Sequence, residues 1–215
     1  MPWHGVQTTR GRSSRAPSAF ISPCLPTVAT RPPSGPGWVH EIKHDGYRLQ
    51  VHLRDGRVRL FTRNGHDWTD RYPWIIADVA RLPVNHAVLD AECCCAGPDG
   101  VTDFNALHSR LNDSSAFAYA FDLLAVNGAD IRLQPLSERR KQLVGLLRKA
   151  KPGIRLSEYI AEDGPLVFAH ACRLGLEGIV SKRIDAPYRS GRAKSWIKNK
   201  NKNAAAYLRV EDGSF

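Results

Sequence analysis

From Trp38 to Gly65 the chain reads WVHEIKHDGYRLQVHLRDGRVRLFTRNG, and few folds accept such a stretch. Apolar and polar residues alternate through most of it, the period of a strand with one face in a core. Asp55-Gly56 falls between two alternating runs, the signature of a hairpin whose tight turn needs φ > 0 at both central positions. Further strands follow in HAVLDAECCCA, in FAYAFDLLAV with a turn at Asn127-Gly128, and in LEGIVSKRI and SWIKNKN. Helical spacing marks RYPWIIADVARL, the short FNALHSRL, and PLVFAHACRLG with Gly175 as its C-cap. LSERRKQLVGLLRKA is amphipathic, with Leu143, Leu146 and Leu147 on one face and Ser137 expected as N-cap. Strands and helices mix without a regular βαβ rhythm and without a repeat. The expected fold class is α+β, with antiparallel sheets flanked by helices.

The chain has 215 residues, enough for one large domain or two small ones. No apolar run is long enough for a membrane helix, and the first twenty residues lack the apolar centre of a secretory signal. Residues 1–20 read as a disordered basic tail, and Ser22 to Gly37 as an extended lead-in too rich in proline for regular structure. The formal charge of +10 favours a polyanionic partner. Five cysteines without a paired CxxC do not suggest a disulfide framework. Cys93, Cys94 and Cys95 alternate across a strand and are expected as reduced core residues. The expected compartment is the cytoplasm.

One short segment concentrates the chemistry. Read as a strand, EIKHD sets Glu41, Lys43 and Asp45 on one face. Such a face is either a solvated sheet edge or a site centred on Lys43, because buried charges must pair or serve a ligand. A lysine becomes a nucleophile when desolvation or positive neighbours disfavour its ammonium form, and Lys198 and Lys200 in SWIKNK offer such neighbours. That pair would also clamp a phosphate. Asp45, Glu92 and Glu177 together offer oxygen ligands for a hard divalent cation. His40 and His44 fall on the opposite face and read as structural or solvent-facing. The chain has no GxxxxGK[ST] loop, no GxSxG elbow and no HExxH pair.

The order of these segments resembles a known family. EIKHDGYR resembles the KxDGxR motif of ATP-dependent DNA ligases, and TRNG, LDAE, AFDLL, LEGIVSKR and SWIKNK follow in the family's order. The resemblance spans roughly Phe20 to Asn201, and the lead-in together with FNALHSRL is most similar to the ligase domain of bacterial ligase D-type proteins. It implies an ATP-grasp-like nucleotidyltransferase domain over 21–203, with 204–215 a C-terminal tail where an OB-fold domain would normally begin.

The same resemblance implies roles. Lys43 would attack the α-phosphate of ATP and carry AMP as a phosphoramidate. Glu41 would read the adenine amino group, beside Ile42. Arg48 and Arg63 would contact ribose and phosphates, and Glu92 the ribose hydroxyl. Phe121 would stack on the purine, with Ile179 or Val180 as the opposite wall. Lys198 and Lys200 would bind the α-phosphate, and Asp45 and Glu177 would serve Mg²⁺. The implied partner is nicked double-stranded DNA in repair, with a separate OB-fold or repair protein as a further partner of a monomer. Arg71, Arg110, Arg139, Arg140, Lys194 and Lys202 are candidates for DNA phosphates. LDAE departs from the family in carrying Ala91 where glycine is frequent. Two alternatives stand beside this reading: an RNA ligase or capping-type enzyme, and a non-catalytic module that holds nucleotide and DNA.

Overall fold

The computed structural model describes residues 14–15, 19–97, 100–110 and 113–212. Most of the expected basic tail lies outside them. Twelve strands, β1 to β12 in chain order, form two sheets. The first sheet runs β1 (Ser14–Arg15), β8 (Ala129–Asp130), β7 (Phe117–Val126), β6 (His86–Cys94), β4 (Tyr47–Arg54) and β5 (Arg57–Thr62), with β9 (Ile154–Leu156) added in parallel to β7. The second runs β10 (Tyr159–Ile160), β3 (Trp38–Ile42), β11 (Gly178–Arg183), β12 (Gly191–Lys200) and β2 (Cys24–Val28). Helices α1 (Pro73–Val79) and α3 (Leu136–Leu147) pack on the first sheet, and α4 (Gly164–Arg173) on the second. The α+β class with antiparallel pairing is as expected, apart from two parallel pairings, β7 with β9 and β12 with β2.

Period-2 alternation does most of the sorting. Leu49, Val51 and Leu53 of β4 and Leu89, Ala91 and Cys93 of β6 enter one core under α1 and α3. The residues between them, Arg48, Gln50, Asp90 and Glu92, belong to the opposite face, toward the second sheet. Asp55 (φ 48°) and Gly56 (φ 75°) make the predicted primed hairpin turn, and Asn127 (φ 50°) and Gly128 (φ 79°) make another. Along β7 the pairing with β6 slips twice, leaving Phe121 and Leu124 without opposite residues. A bulge of this kind re-aims a side chain. Phe121 therefore joins the cluster between the sheets, with Trp196, Tyr188 and Leu124.

Several expectations are corrected. Part of the lead-in is a strand, β2, which tolerates Pro26 because it lies at a sheet edge. Helix α3 starts at Leu136 with Pro135 as N-cap, so Ser137 is not the cap. Its first amides are instead satisfied from outside, Leu136 donating to the Ala186 carbonyl and Ser137 to that of Ile184. The segment read as a C-terminal tail carries a helix, α5 (Ala205–Asp212), with Ala204 and Ala206 buried. Strand β3 ends at Ile42, so Lys43 and Asp45 occupy a link between sheets and do not share a strand face with Glu41. Cys93, Cys94 and Cys95 are buried and unbridged, as read.

Two basic candidates for DNA contact are inside the protein, and a third is half-buried and paired. Arg139 is fully buried, its guanidinium donating twice to Asp122 at 2.8 Å and to the carbonyls of Gln134 and Ala186. Arg140 is buried against Glu41 and the Ser157 carbonyl. Arg71 is committed to Asp113 and lies 4.5 Å over the Trp68 ring. Arg110, Lys194 and Lys202 are exposed. Removing one partner of a buried pair leaves an uncompensated charge. Arg139→Ala is expected to lower unfolding stability by about 3–5 kcal/mol in urea titration; a loss under about 1 kcal/mol would contradict this account of the pair.

Candidate active site

A cleft of about 580 Å³ opens between the two sheets. Its lining includes most of the residues singled out from the sequence: Glu41, Ile42, Lys43, Arg48, Arg63, Glu92, Phe121 and Lys198. They arrive from different elements. Arg48 and Glu92 come from the inward face of the first sheet, Val180 and Lys182 from β11, and Trp196 and Lys198 from β12. Lys43 comes from the link that crosses between the sheets, and its backbone N–H donates to the Gly178 carbonyl at 2.9 Å.

The cleft has two chemically distinct parts. One is apolar and aromatic. Phe121 meets Trp196 edge-on, with ring centroids 6.0 Å apart, and Val180 lines the same space. Ile179 does not take part: it is fully buried against Val167 and Ala171 of α4. Adjacent strand residues face opposite ways, so of the two expected wall residues only Val180 can face the cleft. The other part is basic. Arg63, Arg192 and Lys198 line it and form no ion pair among the described residues. Burial, then the neighbouring Lys43, Lys200 and Arg63, holds the Lys198 ammonium below its ordinary pKa.

Lys43 itself is ion-paired. Its Nζ donates to Glu177 Oε2 at 2.5 Å, so the nearest charge is a carboxylate and not a lysine of SWIKNK. Glu92 is near the pair. Burial pushes its carboxyl up to about 7, with Lys43 and Arg48 opposing. Asp45 is turned elsewhere, paired with Arg209 of α5, and with Glu177 it borders a second groove beside α5. Among the described residues no three histidine, cysteine or acidic side chains gather as metal ligands, so the expected trio of Asp45, Glu92 and Glu177 is not assembled. Glu92 and Glu177 remain suitable oxygen donors for Mg²⁺, which commonly takes one or two carboxylates and completes its shell with phosphate and water. Glu92 in particular is a half-buried carboxyl whose charge is disfavoured by burial. Lys200 does not line the cleft; its Nζ lies 6.0 Å from the Tyr207 ring.

Two side chains are more tightly held than the sequence suggested. Arg48 donates from Nε and Nη2 to Asp90 at 2.9 and 2.5 Å, and from Nη1 to the Cys24 carbonyl at 2.7 Å. Glu41 is 3 % exposed and accepts from Lys182 Nζ at 2.7 Å. Sequence reasoning did not single out Lys182, although its spacing of two from Val180 places it on the same face. His44, read from the sequence as structural or solvent-facing, lines the cleft, stacks 4.1 Å from the Tyr119 ring and is pushed down to about 4 by burial and by Lys43. The opposite face predicted for His44 fails because the strand has already ended.

Together these groups place an amine beside an aromatic slot and a cluster of basic side chains. The chain belongs to the ATP dependent DNA ligase domain family, which it matches over residues 27–200. It is 39% identical to the multifunctional non-homologous end joining protein LigD of Pseudomonas aeruginosa over 213 aligned positions, covering 93% of this chain and 25% of that protein. Identity to LigD of Mycobacterium tuberculosis is 36%, over 77% of this chain and 22% of that protein. The chain thus spans about a quarter of the length of these relatives. Among solved structures, mycobacterial DNA ligase D complexed with ATP and MES matches with a TM-score of 0.75 at 34% identity, covering 84% of this chain and 60% of that one. The adenylate form of Chlorella virus DNA ligase shares the fold, with a TM-score of 0.57 at 15% identity, covering 85% of this chain and 69% of that one.

Glu92 gives a pH test. Its raised pKa means the folded protein binds this proton more tightly than the unfolded chain does. The group therefore favours folding most at low pH, and that contribution is lost as pH rises from about 4.5 through 7. In nucleotide-free protein with chelator, Glu92→Gln is expected to be more stable than wild type at pH 8 by about 1–2 kcal/mol, after allowing for partial exposure. The difference should vanish below pH 4.5 in parallel thermal melts. A stability gain that does not change with pH would refute the assignment.

Proposed function

We propose that this chain is the adenylating unit of an ATP-dependent DNA ligase. Lys43 Nζ attacks the α-phosphorus of ATP, an N–P bond forms, the bond to the bridging oxygen of pyrophosphate breaks, and pyrophosphate leaves. AMP then passes to the 5′-phosphate of a nick in double-stranded DNA. The observation that carries this reading is the placement of Lys43 in one cleft with an aromatic slot and with basic groups that form no ion pair among the described residues.

The purine fits against Phe121 and Val180, and the triphosphate toward Arg63, Arg192 and Lys198. Glu92 suits a ribose hydroxyl, and Arg48, fixed by Asp90, presents a charged edge to the same cleft. Phosphoryl transfer depends mainly on positioning and on stabilising charge, which suits a site of clamps. Glu177 and Glu92 would hold Mg²⁺, which would neutralise phosphate charge as the amine attacks. Glu177 must release Lys43 before attack, because a protonated, ion-paired amine has no free electron pair. The names of the LigD relatives, which describe end joining and DNA repair, support a role in joining broken DNA.

Incubation with α-labelled ATP tests the reading. Wild type should retain label, with a mass increase of one AMP on the peptide that contains Lys43, and Lys43→Ala should retain none. Lys198→Ala should be labelled about 10²-fold more slowly, the typical loss when one donor to transition-state charge is removed. Label on the Lys43→Ala protein would overturn the proposal, and preferential labelling by GTP would favour a capping-type enzyme.

A further inference from the structure

The base end of the cleft holds a charge cluster that the resemblance does not explain. Glu41 and Arg140 are 3 % and 4 % exposed and Lys182 is 1 % exposed, and all three come from different elements. Lys182 Nζ donates to Glu41 Oε2 at 2.7 Å. It also lies 3.4 Å from the Phe121 carbonyl, 4.5 Å from the centre of the Phe121 ring and 4.2 Å from that of Trp196. One ammonium therefore holds both the carboxylate and the aromatic wall of the slot.

The other carboxylate oxygen is different. Glu41 Oε1 is buried yet accepts no hydrogen bond among the described residues. Arg140 Nη1 is 3.5 Å away, close enough for attraction but without a hydrogen bond. Arg140 is anchored through Nη2 to the carbonyl of Ser157, which lines the cleft. A buried acceptor left without a donor costs about 1–3 kcal/mol, so this oxygen is a strong candidate to meet a donor from a ligand.

We propose that Lys182, backed by Arg140, is a positioning residue for base selection: it holds Glu41 as an acceptor-only carboxylate with one oxygen reserved for an exocyclic amino group. This rests on the nucleotide-site reading above. The logic is one of donors and acceptors. At the equivalent edge adenine presents an N–H₂ donor, and guanine presents a carbonyl acceptor. An ionised carboxylate welcomes the first and repels the second. A carboxyl group buried without a cation becomes neutral and gains an O–H donor, which can pair with the guanine carbonyl. Burial does push the Glu41 carboxyl up, with Lys182 and Arg140 opposing. The lysine thus discriminates without touching the base, by removing the protonation state that would accept the wrong one.

The test measures self-labelling of full-length protein by α-labelled ATP and α-labelled GTP, over a range of concentrations of each. Lys182→Met should lower the ATP-to-GTP preference by about 10- to 100-fold, the range for one buried hydrogen bond left unsatisfied. The change should appear mainly in the half-saturating concentrations, with the limiting rate on ATP much less affected. Lys182→Arg, which keeps the charge, should restore most of the preference. A folded Lys182→Met with wild-type preference would overturn the proposal, as would a loss of preference that Lys182→Arg shares in full. Should Lys182→Met fail to fold, Arg140→Gln takes its place with an expected several-fold fall, and an unchanged ratio there would equally overturn it. Wild type that takes no label from ATP would sink the nucleotidyl-transfer reading instead, so the two failures are distinguishable.

Discussion

Asp90 and Arg48 tie the two sheets together at the back of the cleft, and the site depends on that tie. Both belong to the first sheet, but their remaining bonds reach the second. Arg48 Nη1 donates to the Cys24 carbonyl, the Tyr188 hydroxyl donates to Asp90 Oδ2 at 2.7 Å, and the Cys24 amide donates to the Tyr188 oxygen at 2.9 Å. Asp90 is 1 % exposed. A buried ion pair gains little unless its spare donors and acceptors are also satisfied, and here they close a ring between β4, β6, β2 and the segment before β12. Around it pack Val88, Leu124, Ala193 and Trp196. The sheets are thus held at a fixed spacing, and the open part of their interface becomes the cleft.

Much of this was legible in the sequence because strand periodicity alone assigns faces. Arg48 and Glu92 sit at alternating positions in strands whose other face is visibly apolar, so their convergence follows from the pattern. Legibility ended where a side chain's partner is distant in the chain. Nothing near Asp45 announces Arg209, 164 positions away, and nothing near Arg140 announces Glu41. Charged residues on a helix are usually solvated, and that expectation failed for Arg139 and Arg140 because α3 lies against the end of the sheet interface. The choice between Ile179 and Val180 needed the register of β11, which pairs Val180 with Glu41 and so turns both toward the cleft.

Charge is distributed unevenly across the cleft. At the aromatic end the charges are paired: Glu41 with Lys182 and Arg140, and Arg48 with Asp90. At the other end, Arg63, Arg192 and Lys198 form no ion pair with a carboxylate among the described residues. Like charges gathered in a partly buried space repel one another and destabilise the unliganded protein. A polyanion bound there relieves the repulsion, so part of its affinity comes from strain present before it arrives. Glu92 shows the complementary imbalance: burial pushes its carboxyl up, with Lys43 and Arg48 opposing.

Lys43 is carried by the link between the two sheets, and its position depends on Gly46. The link from β3 to β4 carries Lys43 from one sheet to the other. At Gly46 it presses against β6, where an added Cβ would collide with the Cys93 carbonyl oxygen and crowd Cys94. Gly46 does not have positive φ, so glycine is needed there for closeness and not for a left-handed turn. A larger residue would have to lift the link from β6, and Lys43 would move with it, away from the Gly178 carbonyl that fixes its backbone. The glycine of the KxDG pattern therefore acts on the chemistry through packing. It sets how far the amine stands from the strands that carry Arg48, Glu92 and Lys198.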